Sequence, residues 1–276
     1  MHTWWSDLPS RINPYIVHFG SFKIGWYGMM YVLAFATVYL LSLYRIRRES
    51  EPFDPRVLED FIFWVAVGLV AGARIGYVFI YNPGYYAAHP IEAFLPFEST
   101  PAGLKYTGIA GMSYHGGLIG VVLAGWLCLR RYKVNFWDFA DFVVPSIPIG
   151  YMFGRLGNFI NGELYGRPTD SSAGMYFPLD ISGALRHPSQ LYEAAFEGLG
   201  LFLLLWPLRR YRPFSGFHLA LYLAGYGVVR FVLEFFREPD AQIGFVLGPL
   251  SMGQMLCGLM VLAGAAIAIT RRGIKR

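Results

Sequence analysis

The densest group of polar side chains lies in residues 154–167, which read GRLGNFINGELYGR and directly follow an apolar run. This stretch contains two arginines, two asparagines, one glutamate and four glycines. An arginine fork can donate two parallel hydrogen bonds to a phosphate, and glycines let backbone amides approach a ligand closely. Ordinary helix capping is the alternative interpretation, but capping does not require so many charged and amide groups. We therefore predict that this stretch binds a phosphate through Arg155.

A second candidate is the pair Arg230 and Glu234, which lies within an apolar stretch. The two residues are spaced i, i+4, so they share one face of a helix. An arginine inside a membrane span normally faces the bundle interior or a polar cavity, and it marks a functional site. The alternative is an ion pair that only neutralises itself. We expect the functional role.

His115 is the candidate for proton transfer, because imidazole is the side chain most easily poised as a base near neutral pH. It lies in the sequence SYHGG, residues 113–117, at the start of an apolar stretch. A single histidine more often has a structural, hydrogen-bonded role. For His115 we favour proton transfer over a structural role, because it falls at the same predicted membrane level as Arg155. His187 is a rival on the same predicted side.

Membrane-spanning helices are expected to position these residues. Of the 276 residues, 55% are apolar and 15% are charged, whereas soluble domains carry about a quarter charged residues. This composition excludes a disordered chain, a fibrous protein and a disulfide scaffold. A spanning helix needs about 20 mostly apolar residues. Seven stretches are predicted to span: residues 24–44, 61–80, 116–129, 139–153, 191–208, 217–236 and 250–270. The third and fourth are short, and we expect flanking residues to extend them.

The distribution of basic residues predicts the orientation. Fourteen of the 23 Lys and Arg residues lie in residues 45–56, 130–133, 209–212 and 271–276, which follow alternate spans and so share one side. The positive-inside rule makes that side cytoplasmic, with the N-terminus outside and the C-terminus inside. We predict one all-α membrane domain over residues 1–276. Residues 1–23 form an interfacial periplasmic segment, and 154–190 with the loop between spans two and three form a small periplasmic cap.

Several chemistries are not supported by the residues present. Cys128 and Cys257 lie in apolar runs, so neither a disulfide nor a thiolate metal site is expected. A retinal-type protein needs a lysine in its last span, and residues 250–270 contain none. Residues 111–114 do not match the Gly-x-Ser-Gly element of rhomboid-type proteases. The acidic residues are scattered rather than clustered for Mg²⁺, and the small net charge of +5 argues against nucleic acid as a partner.

The chain resembles the bacterial prolipoprotein diacylglyceryl transferases over nearly its whole length. The most specific motif is GRLGNFINGE, residues 154–163. Further blocks occur in the same order: GWYG at 25–28, GARIGY at 72–77, SYHGG at 113–117, RHPSQLYE at 186–193, GYG at 225–227, residues 230–240, and SMGQ at 251–254.

The resemblance implies an activity: transfer of the diacylglyceryl group of phosphatidylglycerol to the lipobox cysteine thiol of a preprolipoprotein. The product is a thioether, and glycerol-1-phosphate is released. The expected partners are phosphatidylglycerol, preprolipoprotein signal peptides and membrane lipid. The family needs no metal or organic cofactor. The resemblance also implies the bacterial inner membrane as location, with the active site toward the periplasm.

The residues fit this reaction in the following roles. His115 is the expected base for the thiol, and Arg155 and Arg230 are expected to stabilise the charge that grows on the departing phosphate, by about 2–4 kcal/mol each. Glu163 and Tyr27 remain alternative proton acceptors. A lipid or small-molecule transporter with a polar Arg230–Glu234 pathway remains the alternative function. The resemblance further implies that Asn158 and Tyr27 help Arg155 and Arg230 to bind phosphatidylglycerol. It implies supporting roles for Glu163, Asn161, Gly166 and Glu234.

Overall fold

The computed structural model describes residues 3–19, 22–93, 95, 97–100, 103–106, 111–238, 245–248 and 250–273. Helices dominate this part of the chain. They are α1 Leu8–Arg11, α2 Trp26–Glu49, α3 Pro55–Gly76, α4 Pro83–Ala88, α5 Tyr114–Arg131, α6 Phe136–Val143, α7 Ile147–Asn161, α8 Ser189–Glu193, α9 Leu201–Leu208, α10 Phe217–Leu233 and α11 Met252–Arg271.

Three small antiparallel hairpins were not predicted from the sequence. They pair β1 Tyr15–Phe19 with β2 Phe22–Gly25, β3 Phe97–Thr100 with β4 Gly103–Tyr106, and β5 Phe245–Leu247 with β6 Leu250–Ser251. The β3–β4 hairpin lies between the second and third predicted spans, whereas β2 overlaps the first two residues of the first predicted span and β6 takes up the first two residues of the seventh. The mostly helical class is confirmed, and strands are a minor addition to it.

Four helical segments are long and apolar enough to cross a membrane: Trp26–Glu49, Pro55–Tyr81, Ser189–Leu208 and Met252–Arg271. They correspond to the first, second, fifth and seventh predicted spans. The helix α10 is apolar but only 17 residues long. The helix α5 extends the third predicted stretch at both ends, to 18 residues. The count of seven spans and their orientation remain predictions.

The fourth predicted span is two helices rather than one. The helix α6 ends at Val143, a 3₁₀ turn covers Val144–Ser146, and α7 follows to Asn161. Pro145 and Pro148 lie at this junction. Proline lacks a backbone N–H and its ring clashes with the preceding turn, which disrupts a continuous α-helix. The helical run also continues eight residues beyond the predicted end at residue 153, so the polar signature begins on α7.

The chain forms two compact units, residues 1–45 with 137–276 and residues 46–136. In the second unit, α3 and α5 pack through glycines spaced four apart. A Cβ on Gly72 would lie 2.8 Å from Gly120 Cα, and one on Gly76 would lie 2.8 Å from Gly116 Cα. Such small-residue faces let two helix backbones approach closely. This packing fixes the start of α5, where His115 is the second residue.

Arg74, on α3 of the second unit, is a buried arginine with backbone partners. Its Nε donates to the carbonyl of Ala93 at 2.7 Å, Nη2 donates to that of Glu92 at 2.6 Å, and Nη1 donates to that of Gly111 at 3.2 Å. The guanidinium group therefore fastens the segment after α4 and the segment before α5 to α3.

In the first unit, buried charges join helix ends. Arg45 is fully buried near the end of α2 and donates to the carbonyls of Phe142 and Arg209. The fully buried Asp141 accepts backbone N–H groups of residues 216–219 at 2.8–3.4 Å. A carboxylate at a helix N-terminus satisfies unpaired N–H groups and complements the helix dipole. Asp141 thus caps α10, the helix that carries Arg230.

Candidate active site

Arg155 lies near the end of α7, and its side chain is 16% exposed. Its Nε donates to Tyr151 Oη at 2.7 Å and lies 2.7 Å from Glu193 Oε2, while Nη1 donates to Asn158 Oδ1 at 3.3 Å. Within the described part of the chain, Nη2 has no hydrogen-bond partner. One end of the fork is therefore available to a ligand.

Glu193 is the carboxylate at which three arginines meet. It is almost fully buried and lies at the end of α8, directly before a π-helical segment, Ala194–Gly200, that leads into α9. Its Oε1 lies 2.5 Å from Arg230 Nη1 and 3.5 Å from Arg237 Nη1, and its Oε2 contacts Arg155. Short π-helical segments inside α-helices occur frequently at functional sites.

Arg230 on α10 has acidic partners on both terminal nitrogens. Nη1 contacts Glu193, and Nη2 lies 2.9 Å from Glu234 Oε2. Glu234 Oε1 accepts a hydrogen bond from Ser251 Oγ at 2.9 Å. Ser251 in turn forms a capping box with Gln254 at the start of α11. The predicted i, i+4 pair is thus present, and Arg230 also pairs with an acid outside its own helix.

Arg237 joins the cluster through the loop that follows α7. Its carbonyl accepts a hydrogen bond from Arg167 Nε at 2.8 Å, and Gly166 forms an isolated β-bridge with the backbone of Arg237. A Cβ on Gly166 would lie 2.9 Å from His187 Cβ. Gly166 therefore lies where a larger side chain would meet its neighbours, and its supporting role stays a prediction.

The remaining predicted residues of the signature form a second, adjoining network. Asn158 Nδ2 donates to Glu163 Oε1 at 2.9 Å, and Asn161 Nδ2 donates to the same oxygen at 3.4 Å. Tyr27 on α2 packs on Gly157, whose Cβ would lie 3.0 Å from Tyr27 Cδ2. Asn158 therefore links Arg155 to Glu163.

The buried charges balance in number. We use the name arginine–glutamate cluster for Arg155, Arg230, Arg237, Glu193, Glu197 and Glu234. None of these side chains is more than 16% exposed. Burying charges is costly, and removing one partner of a buried pair is strongly destabilising because the other charge is left uncompensated. A site of this kind presents charged donors with fixed geometry to an anion that reaches it.

A separate ion pair stabilises the loop between α7 and α8. Arg186 Nε donates to Asp180 Oδ2 at 2.7 Å, and its Nη1 donates to Glu238 Oε2 at 3.0 Å. The hydrogen bond from Arg186 lowers the pKa of Asp180 to about 2. His187 has a pKa below its usual value because of burial, and its Nδ1 lies 3.2 Å from Tyr192 Oη. These contacts are typical of a histidine with a structural role.

His115 belongs to the other compact unit, residues 46–136. It is exposed, on the first turn of α5. Ser113 caps that turn by accepting the backbone N–H of Gly116 at 3.1 Å, and Ser113 itself is tied to α3 through a 2.9 Å hydrogen bond to the carbonyl of Ala73. The role of His115 as a base stays a prediction.

Glu193 and Glu197 were not predicted as site residues. The available signal was their position, because both are acids in the fifth apolar stretch, where ionisable residues are costly and usually functional. Glu193 also ends one of the motif blocks, residues 186–193. Arg237 was not among the predicted site residues either, and its Nη1 lies 3.5 Å from Glu193 Oε1.

Apolar spanning helices and the arginine–glutamate cluster define a multi-pass membrane protein with a buried polar site suited to an anionic group. The sequence profile of the family described as prolipoprotein diacylglyceryl transferase matches residues 14–270. The chain belongs to this family.

Several relatives are similar over almost the whole chain, and each is named phosphatidylglycerol–prolipoprotein diacylglyceryl transferase. A protein of Chlorobaculum tepidum is 52% identical over 267 residues, which cover 97% of this chain and 92% of that protein. A protein of Bordetella avium is 47% identical over 260 residues, and one of Campylobacter curvus is 44% identical over 262 residues. Both alignments cover 94% of each chain.

Proposed function

We propose that this chain transfers the diacylglyceryl group of phosphatidylglycerol to the lipobox cysteine thiol of preprolipoproteins, the first step of lipoprotein maturation. The observation that carries the proposal is the arginine–glutamate cluster, in which Arg155 keeps donor groups for a phosphate. Family membership supports the same reaction. The transporter alternative has no support from the family.

The proposed reaction is a displacement at a glycerol carbon. The cysteine sulfur forms a bond to this carbon, and the bond between the carbon and the phosphate oxygen breaks. The electron pair leaves on the phosphate, and the thiol gives up its proton. Because negative charge grows on the phosphate, donors that are already oriented in a buried site lower the barrier. Arg155 is the proposed direct donor, while Arg230 contributes positive charge and its remaining N–H groups.

His115 is the proposed base, because a free thiol is only a few per cent thiolate near neutral pH and needs help to ionise. Glu163 and Tyr27 remain alternatives. Glu163 accepts two amide hydrogen bonds from Asn158 and Asn161, an arrangement that favours an orienting role. Tyr27 is proposed to help form the wall of the site beside Asn158.

We further propose seven spans, a periplasmic N-terminus and a cytoplasmic C-terminus, in the bacterial inner membrane. The run from α6 to α7 would supply one span despite its 3₁₀ turn, and α5 and α10 would supply two more. The basic residues that follow alternate spans support this orientation. The active site would then face the periplasm, and residues 154–190 would form part of a small cap on that side.

Purified protein, phosphatidylglycerol vesicles and a synthetic lipobox peptide test the proposed reaction. We expect the peptide to gain the mass of one diacylglyceryl group, with one glycerol phosphate released per modified peptide. A peptide with serine in place of the lipobox cysteine serves as the control and should remain unmodified. If the cysteine peptide gains no mass and no glycerol phosphate appears, the proposed function is wrong.

A further inference from the structure

Tyr151 lies one helical turn before Arg155 on α7 and contacts it in two ways. The Tyr151 hydroxyl accepts a hydrogen bond from Arg155 Nε at 2.7 Å, and the Arg155 guanidinium carbon lies 4.9 Å from the centre of the Tyr151 ring. The same hydroxyl donates to Glu197 Oε2. Glu197 therefore fixes the Tyr151 hydroxyl, and this hydroxyl in turn holds Nε of Arg155.

Glu197 closes a ring of side chains. It is fully buried on the π-helical segment, and its Oε1 lies 3.6 Å from Arg230 Nη1. Contacts thus run from Arg155 through Tyr151 and Glu197 to Arg230, and return to Arg155 through Glu193. Two separate acids link the two arginines, one of them through a tyrosine hydroxyl.

The tyrosine branch of this ring determines which edge of the Arg155 fork meets a ligand. An arginine side chain has several rotatable bonds, and its planar guanidinium group recognises an anion only when its orientation is fixed. If Glu193 were the sole contact of Arg155 Nε, the guanidinium group would still be free to rotate about that contact. The Tyr151 hydroxyl gives Nε a second contact, and the Asn158 contact holds Nη1. Together they leave Nη2 as the outward donor.

We infer that Tyr151 and Glu197 are positioning residues for the transfer reaction: Glu197 orients the Tyr151 hydroxyl, and this hydroxyl holds the Arg155 fork so that Nη2 meets the phosphate. The inference rests on the proposed function. Neither residue touches the substrate in this account, and both act through Arg155. A full negative charge on Glu197 is not required for this role, since Tyr151 needs only an acceptor oxygen.

Tyr151→Phe isolates the hydroxyl, because phenylalanine keeps the ring beneath the guanidinium group. We expect kcat for phosphatidylglycerol to fall by about tenfold, less than for the loss of a direct donor, because the misplaced fork matters most when charge grows on the phosphate. The change in KM should be smaller. Tyr132→Phe is the matched control. It removes a tyrosine–carboxylate hydrogen bond, to Asp60 at 2.6 Å, outside the cluster, and should leave kcat unchanged.

Glu197 variants provide the second readout. Glu197→Gln keeps an acceptor oxygen for Tyr151 and should retain most of kcat, whereas Glu197→Leu removes the acceptor and should resemble Tyr151→Phe. Glu197→Leu also removes one of the acids that face Arg230, and the loss of one partner of a buried pair is destabilising. Thermal unfolding of each variant therefore separates an effect on positioning from an effect on folding.

The outcomes separate this inference from the proposed function. If the wild-type protein forms no thioether, the proposed function is wrong. If the wild type is active and Tyr151→Phe matches Tyr132→Phe in kcat, the positioning inference is wrong. It is also wrong if Glu197→Gln and Glu197→Leu lose activity equally while both remain folded.

Discussion

Replacing Arg155 by lysine preserves the charge of the site and removes its fork. Arg155 has three anchoring contacts, with Tyr151, Glu193 and Asn158, and one terminal nitrogen left for a ligand. A lysine ammonium group is a single point donor on a flexible stem. It can keep the ion pair with Glu193, but it cannot also reach Asn158 and the phosphate. The proposed direct donor to the departing phosphate is thereby lost.

The loss of one oriented donor to developing charge costs about 3 kcal/mol, which corresponds to about a hundredfold in kcat. We therefore expect Arg155→Lys to reduce the rate of glycerol phosphate release at saturating phosphatidylglycerol by about that factor, with thermal stability largely retained because the Glu193 charge keeps a partner. Arg56→Lys makes the same replacement at an exposed arginine outside the cluster and should be as active as the wild type. A fully active Arg155→Lys variant would show that the fork does not contact the phosphate.

Three further changes test other parts of the structure. His115→Asn should lower kcat/KM by about 10²–10⁴-fold; unchanged activity between roughly pH 6 and 8 would remove it as the base. Asp180→Asn should make the loop after α7 more sensitive to protease above about pH 4, and the two proteins should converge as the pH falls through about 2. Because the pKa of Asp180 is lowered to about 2, its ion pair with Arg186 contributes its full stability above the ordinary carboxyl pKa and is lost only as the pH falls through about 2. Equal cleavage of the two proteins at neutral pH would contradict this. Gly253→Ala would place a methyl group 2.5 Å from Glu234 Oε1 and should reduce activity, whereas Gly258→Ala on the same helix meets nothing within 4 Å and should not; equal activities would show that Glu234 need not keep its place.

Hydropathy alone predicted the long helices because a helix that crosses a membrane needs about 20 consecutive, mostly apolar residues. The seventh stretch, predicted at residues 250–270, is the helix Met252–Arg271. The fourth was predicted as one helix because most of its residues are apolar, and hydropathy does not register the missing N–H groups of Pro145 and Pro148. The end of α2 extends past the predicted residue 44, so that Arg45, expected in a loop, is fully buried.

The individual polar residues of the site were partly predictable, but their partners were not. Arg155 and Arg230 stand out because charged residues are rare in or beside apolar stretches. That both meet Glu193 depends on the packing of three helices that are distant in the sequence. Likewise, the contact between Gly166 and the backbone of Arg237 joins residues about 70 positions apart. Local patterns contain no information on such pairings.

Arg155 is the residue proposed to contact the phosphate of the donor lipid. An experimental structure of the protein with bound phosphatidylglycerol, or with a non-cleavable analogue, would show this contact. We expect a phosphate oxygen within about 3.2 Å of Arg155 Nη2, with Nε still held by Tyr151 and Glu193. A phosphate bound elsewhere, with Nη2 facing no lipid oxygen, would rule out this role of Arg155.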